Sequence, residues 1–356
     1  MSLSHRERVR LALEHQTTDR IPIGMVCAGI NAPAHRALEK LLQRERGLSV
    51  AEYLHPLVDI TGFTTPYVGP TPAAGTDYWG VHRSAVSYGA DAYSEIDVYP
   101  LAGAKTVAEV AAHDWPSPDW FDYGAMPALV KSWQSEGEYC LMLANANLFE
   151  CTWYMRGFEQ SFMDLVLEPE LFHAIIGRVT DFFIEYVHRT LAAVPGEVDL
   201  VFTADDIGGQ NGLLMSLAMW EEQLKPYHMR LNEAIHEHGA KVIYHSDGSV
   251  TEAVPGLIDM GVDVLQALQF DAANMDPADL KTRFGDRLCF EGGVSVQHTL
   301  PWGTADEVAA EVRHLIDTLG KGGGYILGPS HCIQAGTPPE NVLAMFDTAA
   351  GYYPHG

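Results

Sequence analysis

From residue 139 onward, short apolar runs alternate with longer stretches of helical period. The runs 139–144, 198–203, 241–244, 262–265, 288–290 and 325–327 are dominated by aliphatic and aromatic residues without polar–apolar alternation. Runs of that kind are strands buried on both faces, as in a parallel sheet. Between them the periodicity predicts helices from about 149 to 191 and about 217 to 238, the latter ended by Gly239, and over 250–260, 277–284, 305–319 and 338–349. Strands alternating with helices predict parallel βαβ units, and a count of seven or eight strands favours a closed barrel over a doubly wound sheet.

Upstream, residues 1–20 read as an amphipathic helix, 19–26 as a short strand and 32–43 as a helix. Residues 67–102, rich in Gly, Pro and Tyr, read as β-hairpin decoration, and Thr106 caps a short helix before the Pro-broken connector 115–123. The fold class is therefore α/β: a (β/α)8 TIM barrel with N-terminal helical and β-hairpin decoration, expected to fill 1–356 as one domain. No GxGxxG follows the first strand, which argues against dinucleotide binding.

A net charge of −25, with no Lys/Arg stripe, argues against nucleic acid. No apolar run approaches the roughly 20 residues that cross a bilayer, and the N-terminus lacks a signal-peptide core. A cytoplasmic protein without membrane contact is expected. Cys27, Cys140, Cys151, Cys289 and Cys332 form no CxxC pair, so reduced, buried thiols are expected rather than a disulfide framework.

In a barrel, the chemistry belongs at the C-terminal ends of the strands. Five consecutive strand ends here are polar. They carry Asp205-Asp206 with Gln210 and Asn211, then His245-Ser246-Asp247-Gly248, then Gln266 and Gln269, then Glu291, then Ser330-His331-Cys332. One of Asp205 and Asp206 can equally serve as a cap or turn residue. His245 with Asp247 two residues on is the best placed pair for a metal or for acid/base work, and Cys332 reads either as a ligand or as a packed thiol. A carboxylate directly after an apolar strand, as at Glu291, needs a partner or a function. His228, His236 and His238 lie on a helix without HExxH spacing and read as surface residues.

These segments resemble the uroporphyrinogen decarboxylase superfamily over nearly the whole chain: RERVRLALEHQTTDRIPIG, DDIGGQNGLLMS, KVIYHSDGSV, FGDRLCFEGGVS and GGGYILGPSHCIQAGTPPENVLAMFD. The resemblance implies the (β/α)8 fold and two branches, cofactor-free tetrapyrrole decarboxylases and zinc-dependent methyltransferases that work with corrinoid proteins. The decarboxylase branch holds substrate carboxylates with an arginine-rich motif after the first strand. Here that place reads Gly24-Met25-Val26-Cys27-Ala28-Gly29-Ile30-Asn31, with no arginine. The methyltransferase branch is the better likeness.

That branch holds zinc with His-x-Cys and a later Cys. Position by position, this implies His245, Asp247 and then His331 or the adjacent Cys332 as metal ligands, with zinc or another divalent metal. A nitrogen–oxygen set suits polarising an ether or alcohol oxygen better than activating a thiol. The resemblance thus implies a methyltransferase of O-demethylase type. It would move a methyl group from a small methoxylated donor, aromatic or not, to a corrinoid on a partner protein, since no cobalamin-binding DxHxxG occurs in the chain. Asp206 and Glu291 are the expected catalytic residues, and Gln210, Asn211 and Gln266 the expected cofactor-binding ones. Trp79, Trp153, Tyr154 and Tyr244 hint at an aromatic donor, and the superfamily implies a homodimer. The alternative is a corrinoid-independent, metal-dependent lyase or decarboxylase on the same constellation.

Overall fold

The structure, a computed structural model, describes residues 3–26, 29–87 and 92–353. Seven parallel strands form one sheet in chain order: β1 (Ile60–Phe63), β2 (Cys140–Asn147), β3 (Leu200–Ala204), β4 (Lys241–His245), β5 (Val264–Gln266), β6 (Cys289–Val294) and β7 (Tyr325–Pro329). Helices lie between successive strands, so this is a TIM-barrel-like α/β fold.

The eighth stave is shorter than the strand expected over 19–26. Ile23 makes an isolated parallel bridge to Leu327, with Gly24 N–H donating to Leu327 O and Leu327 N–H to Pro22 O, both at 2.8 Å. On its other side, Asp59 N–H donates to Ile23 O and Ile23 N–H to Asp59 Oδ2, again at 2.8 Å. Asp59 is fully buried and also accepts from Arg8 and Arg20, each at 2.7 Å. This ionic knot ties the segment between β7 and β1. Pro22 has no N–H to extend the ladder, which limits the stave to a bridge.

Inside the barrel, Ile60, Met142, Leu200, Phe202, Ile243, Val264, Cys289 and Ile326 pack together, with Val9 of the His5–Leu13 helix closing the bottom. Side chains on a strand alternate with period two. His245, Gln266 and Glu291 therefore share the inner face with Ile243, Val264 and Cys289, one layer nearer the mouth. The strands run further than apolarity alone predicts: β4 includes His245, β5 Gln266, and β6 continues to Val294. Sequence reading stops a strand at its first polar residue, whereas the upper inner face of this barrel is polar.

The helices expected at 277–284 and 305–319 appear with those bounds, as Pro277–Phe284 and Ala305–Leu319. The helices expected over 149–191 number three, and the single helix expected over 217–238 is broken. Residues 149–191 fold as Phe149–Arg156, Phe158–Leu167 and Pro169–Ala193, interrupted at Gly157 (φ +102°) and before Pro169. Leu217–Gln223 and Lys225–His236 divide at Leu224, before Pro226. The hairpin decoration is an antiparallel ribbon of His82–Ser87 with Ala92–Val98. Among the described residues, no helix is long and apolar enough to cross a membrane.

Candidate functional site

The C-terminal ends of β3, β4 and β5 and the loop after β7 converge. His245, Asp247 and His331 each offer a ligand atom, and those atoms all lie within 4.8 Å of one another. Asp247 Oδ1 is 3.6 Å from His245 Nε2, and its Oδ2 is 3.8 Å from His331 Nε2. An oxygen flanked by two imidazole nitrogens is a donor set for zinc or a similar divalent ion.

Each donor is aimed from behind. Gln266 Oε1 can only accept, so His245 Nδ1 carries the proton it shares with Gln266, which leaves Nε2 with its lone pair toward the cluster. Gln269 donates to Asp247 Oδ1 at 2.7 Å and accepts from Gly248 N–H at 2.9 Å. Asp206 Oδ1 accepts the Asp247 N–H at 2.8 Å and lies 3.5 Å from His245 Nε2. Burial raises the Asp247 carboxyl above its ordinary range, only partly offset by His245 and His331.

The glycines of DDIGG and HSDG allow these loops to interlock. A Cβ on Gly208 would come within 2.5 Å of Asp247 O, and one on Gly248 (φ +80°) within 2.6 Å of Gly209 O.

Asp205 and Asp206 part company. Asp205 is buried and caps the Phe149–Arg156 helix from outside its own βα unit, accepting from Phe149 N–H at 2.7 Å and Glu150 N–H at 2.8 Å. It also meets His228. His228 is fully buried, which corrects its reading as a surface residue; a carboxylate behind the helix supplies the polar partner that helical periodicity cannot reveal. His236 is exposed and pairs with Asp263, while His238 is half-buried against His188.

The cap brings in a residue missed in the sequence. Glu150 is buried at the start of that helix and accepts from Asn147 at 2.6 Å and Tyr154 OH at 3.2 Å. Burial, then Asp206 and Asp205, raise its carboxyl to about 7. Its signal was present: a polar Asn147 and Glu150 directly after an apolar strand. Arg83 of the ribbon lies 5.0 Å over the Tyr154 ring and pairs with Asp77 at 2.7 Å.

The other expected site residues are dispersed. Glu291 is fully buried on the inner face of β6, beside Gly24 and Gly328, and burial raises it to about 8. Cys332 stands outside the ligand cluster, its buried thiol 3.7 Å from Ile333 O. Gln210 and Asn211 are exposed on the small ribbon formed by Gly208–Gly209 and Gly212–Leu213, and Asn211 borders a separate groove with Ser249, Thr251 and Asn274. Trp79 packs on Phe182 and Phe183, and Tyr244 is buried against His228, so of the four aromatic candidates only Trp153 and Tyr154 remain partly exposed. Cys140, Cys151 and Cys289 are buried; Cys27 and Ala28 lie outside the described residues. An apolar cavity of about 370 Å³ between Met25, Leu54, Trp133 and Tyr139 contains none of the cluster's donors.

Over its whole length the fold is similar to that of a methyltransferase from Methanosarcina mazei, with a TM-score of 0.69 at 17% identity, covering 98% of this chain and 99% of that one. Uroporphyrinogen decarboxylases from Psychromonas ingrahamii and Anaeromyxobacter dehalogenans are 26% identical over 185 residues and 27% identical over 203 residues. Those matches cover 51% and 55% of this chain and 48% and 53% of theirs, so the chain spans about half the length of the curated relatives it matches. The family model described as uroporphyrinogen decarboxylase (URO-D) matches residues 149–352, which include every residue of the ligand cluster, and the chain belongs to that family.

Proposed function

We propose that this chain is a metal-dependent methyltransferase that takes the methyl group of a small, uncharged methoxylated donor and delivers it to a corrinoid held by a partner protein. The observation that carries this reading is the convergence of His245, Asp247 and His331, with the carboxyls of Asp206 and Glu150 beside them. A tetrapyrrole decarboxylase must hold several substrate carboxylates, a task for guanidinium groups. Among the described residues, no Arg or Lys forms an ion pair with Glu150, Asp206 or Asp247, and Gly24-Met25-Val26 supplies none. The same carboxyls repel an anionic donor. The fold shared with a methyltransferase along the full chain agrees with this reading.

His245, Asp247 and His331 would hold zinc or a related ion, which when bound supplies Lewis acidity toward the donor's oxygen. Gln266 and Gln269 hold two of the three ligands in place. Breaking the O–CH3 bond leaves the bonding pair on oxygen, and that oxygen needs a proton. Glu150, raised to about 7 and flanked by Tyr154, keeps a proton available at neutral pH. Asp206, anchored by the Asp247 N–H, orients the leaving oxygen.

The test combines metal analysis with methyl transfer to cob(I)alamin from an uncharged methoxyphenol, following the cobalamin spectrum. About one zinc per chain, lost in His245→Ala together with methyl transfer, is the expected result. Bound metal without methyl transfer from any ether would overturn this reading in favour of a corrinoid-independent lyase or decarboxylase.

A further inference from the structure

Below the ligand cluster, the Gln266 amide that orients His245 faces a carboxyl that the proposed chemistry does not use. Gln266 and Glu291 are both fully buried, on adjacent strands paired at Phe290–Leu265. The Gln266 amide and the Val26 backbone approach the Glu291 carboxyl. Even so, neither carboxyl oxygen, nor Gln266 Nε2, reaches hydrogen-bonding geometry. A buried donor facing a buried acceptor is unsatisfied only until a small side-chain rotation joins them.

The carboxyl is built into this place. A Cβ on Gly24 would strike Glu291 Oε1, and one on Gly328 would come within 2.8 Å of it. A Cβ on Gly328 would also meet Gly24 O at 2.8 Å, so it is at Gly24 that the carboxyl occupies the space of a side chain.

The pair has one consequence for the mouth. Gln266 has two ends, and Oε1 faces His245 Nδ1. If the amide turned over, an NH2 group would face that nitrogen, His245 would carry its proton on Nε2, and Nε2 could not bind a metal. An acceptor on the far side of Gln266 decides between the two. Glu291 offers an accepting oxygen in either protonation state, so it holds the NH2 end toward itself and the oxygen toward His245.

We infer that Glu291 is a positioning residue that, through Gln266, fixes His245 in the Nδ1–H tautomer and so readies Nε2 as a ligand. The inference rests on the metal-site reading above and deepens it, but its first readout needs no metal. In the metal-free protein, imidazole nitrogen NMR assigns the His245 tautomer, with His245→Asn identifying the signal. Nδ1–H is expected in wild type, and a shift toward Nε2–H in Glu291→Met.

Zinc affinity by chelator competition is expected to fall about 10- to 100-fold in Glu291→Met, and by less than about threefold in Glu291→Gln, which keeps an accepting oxygen. Urea unfolding near neutral pH should show Glu291→Met no less stable than wild type, because the apolar side chain removes the desolvation cost of a buried carboxyl that stands in no ion pair; this separates positioning from folding. An unchanged tautomer, or wild-type zinc affinity in Glu291→Met, overturns the inference. If wild type binds no zinc while the tautomer still follows residue 291, the metal reading fails and the positioning role stands.

Discussion

His228 Nε2 lies 2.5 Å from Asp205 Oδ2 in a region closed to solvent, and the same carboxylate holds the first turn of the helix that carries Glu150. Asp205 is thus a structural member of the site, while Asp206 beside it is the one to which we assign a chemical role. Asp205→Ala should destabilise the fold by about 3–5 kcal/mol, because it strands His228 and removes a cap together. Asp206→Ala, which removes a half-exposed side chain, should stay within about 1 kcal/mol of wild type and lose activity instead. Urea unfolding of the two variants checks this; equal destabilisation would refute the division of labour.

Metal content separates the ligands from their neighbours. His245→Ala and His331→Ala should each abolish stoichiometric binding, whereas Cys332→Ser should retain it, since the thiol stands outside the cluster. Affinity should also fall in acid, as both imidazoles must be neutral and Asp247, raised by burial, must give up its proton to bind. Titrating zinc at several pH values against a chelator measures both effects. Loss of metal from Cys332→Ser would move the third ligand by one residue.

Much of this was legible in the chain. The strand–helix alternation and two helices with their bounds follow from periodicity, and the rule that barrels carry chemistry at strand ends brings His245, Asp247 and His331 to one mouth; their selection as one ligand set rests on the family resemblance. The missed features depend on what faces what. His228 looks like a surface residue until Asp205 is brought behind it from another strand. Glu150 sits on a helix whose first turn is otherwise apolar, and only the cap from Asp205 turns it toward the mouth. Gln210 and Asn211 follow a catalytic-looking pair, but a two-residue ribbon carries them outward. The eighth stave shrinks to a bridge because Pro22, apolar enough to read as strand, has no N–H to extend the ladder.

Acid titration of Glu291 should show in stability. Its folded value is raised from 4.5 to about 8, so the native state holds a proton that the unfolded chain has released. Between those values the unfolded state binds fewer protons, and stability falls as pH rises. Glu150, raised from 4.5 to about 7, acts in the same direction. In metal-free protein, the urea midpoint should decline from about pH 5 to pH 8, and Glu291→Gln should flatten that decline. Parallel profiles for the two proteins would mean that Glu291 does not titrate as its burial dictates.

Room for the Glu291 carboxyl can be tested by filling it. Gly24→Ala places a methyl group against Oε1 and should destabilise by about 1–3 kcal/mol. In a Glu291→Ala background the same methyl group has Ile326 Cγ2, at 3.2 Å, as its nearest neighbour, and much of that penalty should vanish. The coupling energy from the four proteins measures the contact itself. Additive effects would show that the penalty at Gly24 comes from Ile326 and not from Glu291.

Charge selectivity at the mouth provides the sharpest check on the donor. Glu150 and Asp206 sit beside the ligands with no ion-paired Arg or Lys among the described residues, and Arg83 is already committed to Asp77 and the Tyr154 ring. An uncharged methoxyphenol should therefore exceed the corresponding methoxybenzoate by at least about tenfold in kcat/KM, the equivalent of roughly 1.4 kcal/mol. Glu150→Gln keeps the size of the side chain and removes its charge, so it should narrow that ratio by admitting the benzoate. It should also lower kcat for the phenol, because the proton source is gone, and remove the limb of the pH profile near 7. If Glu150→Gln lowers kcat but leaves the ratio unmoved, Glu150 supplies the proton and another group sets selectivity. If the benzoate is preferred from the outset, the acidic mouth does not govern donor choice, and a carboxylate must reach the site by binding the metal directly.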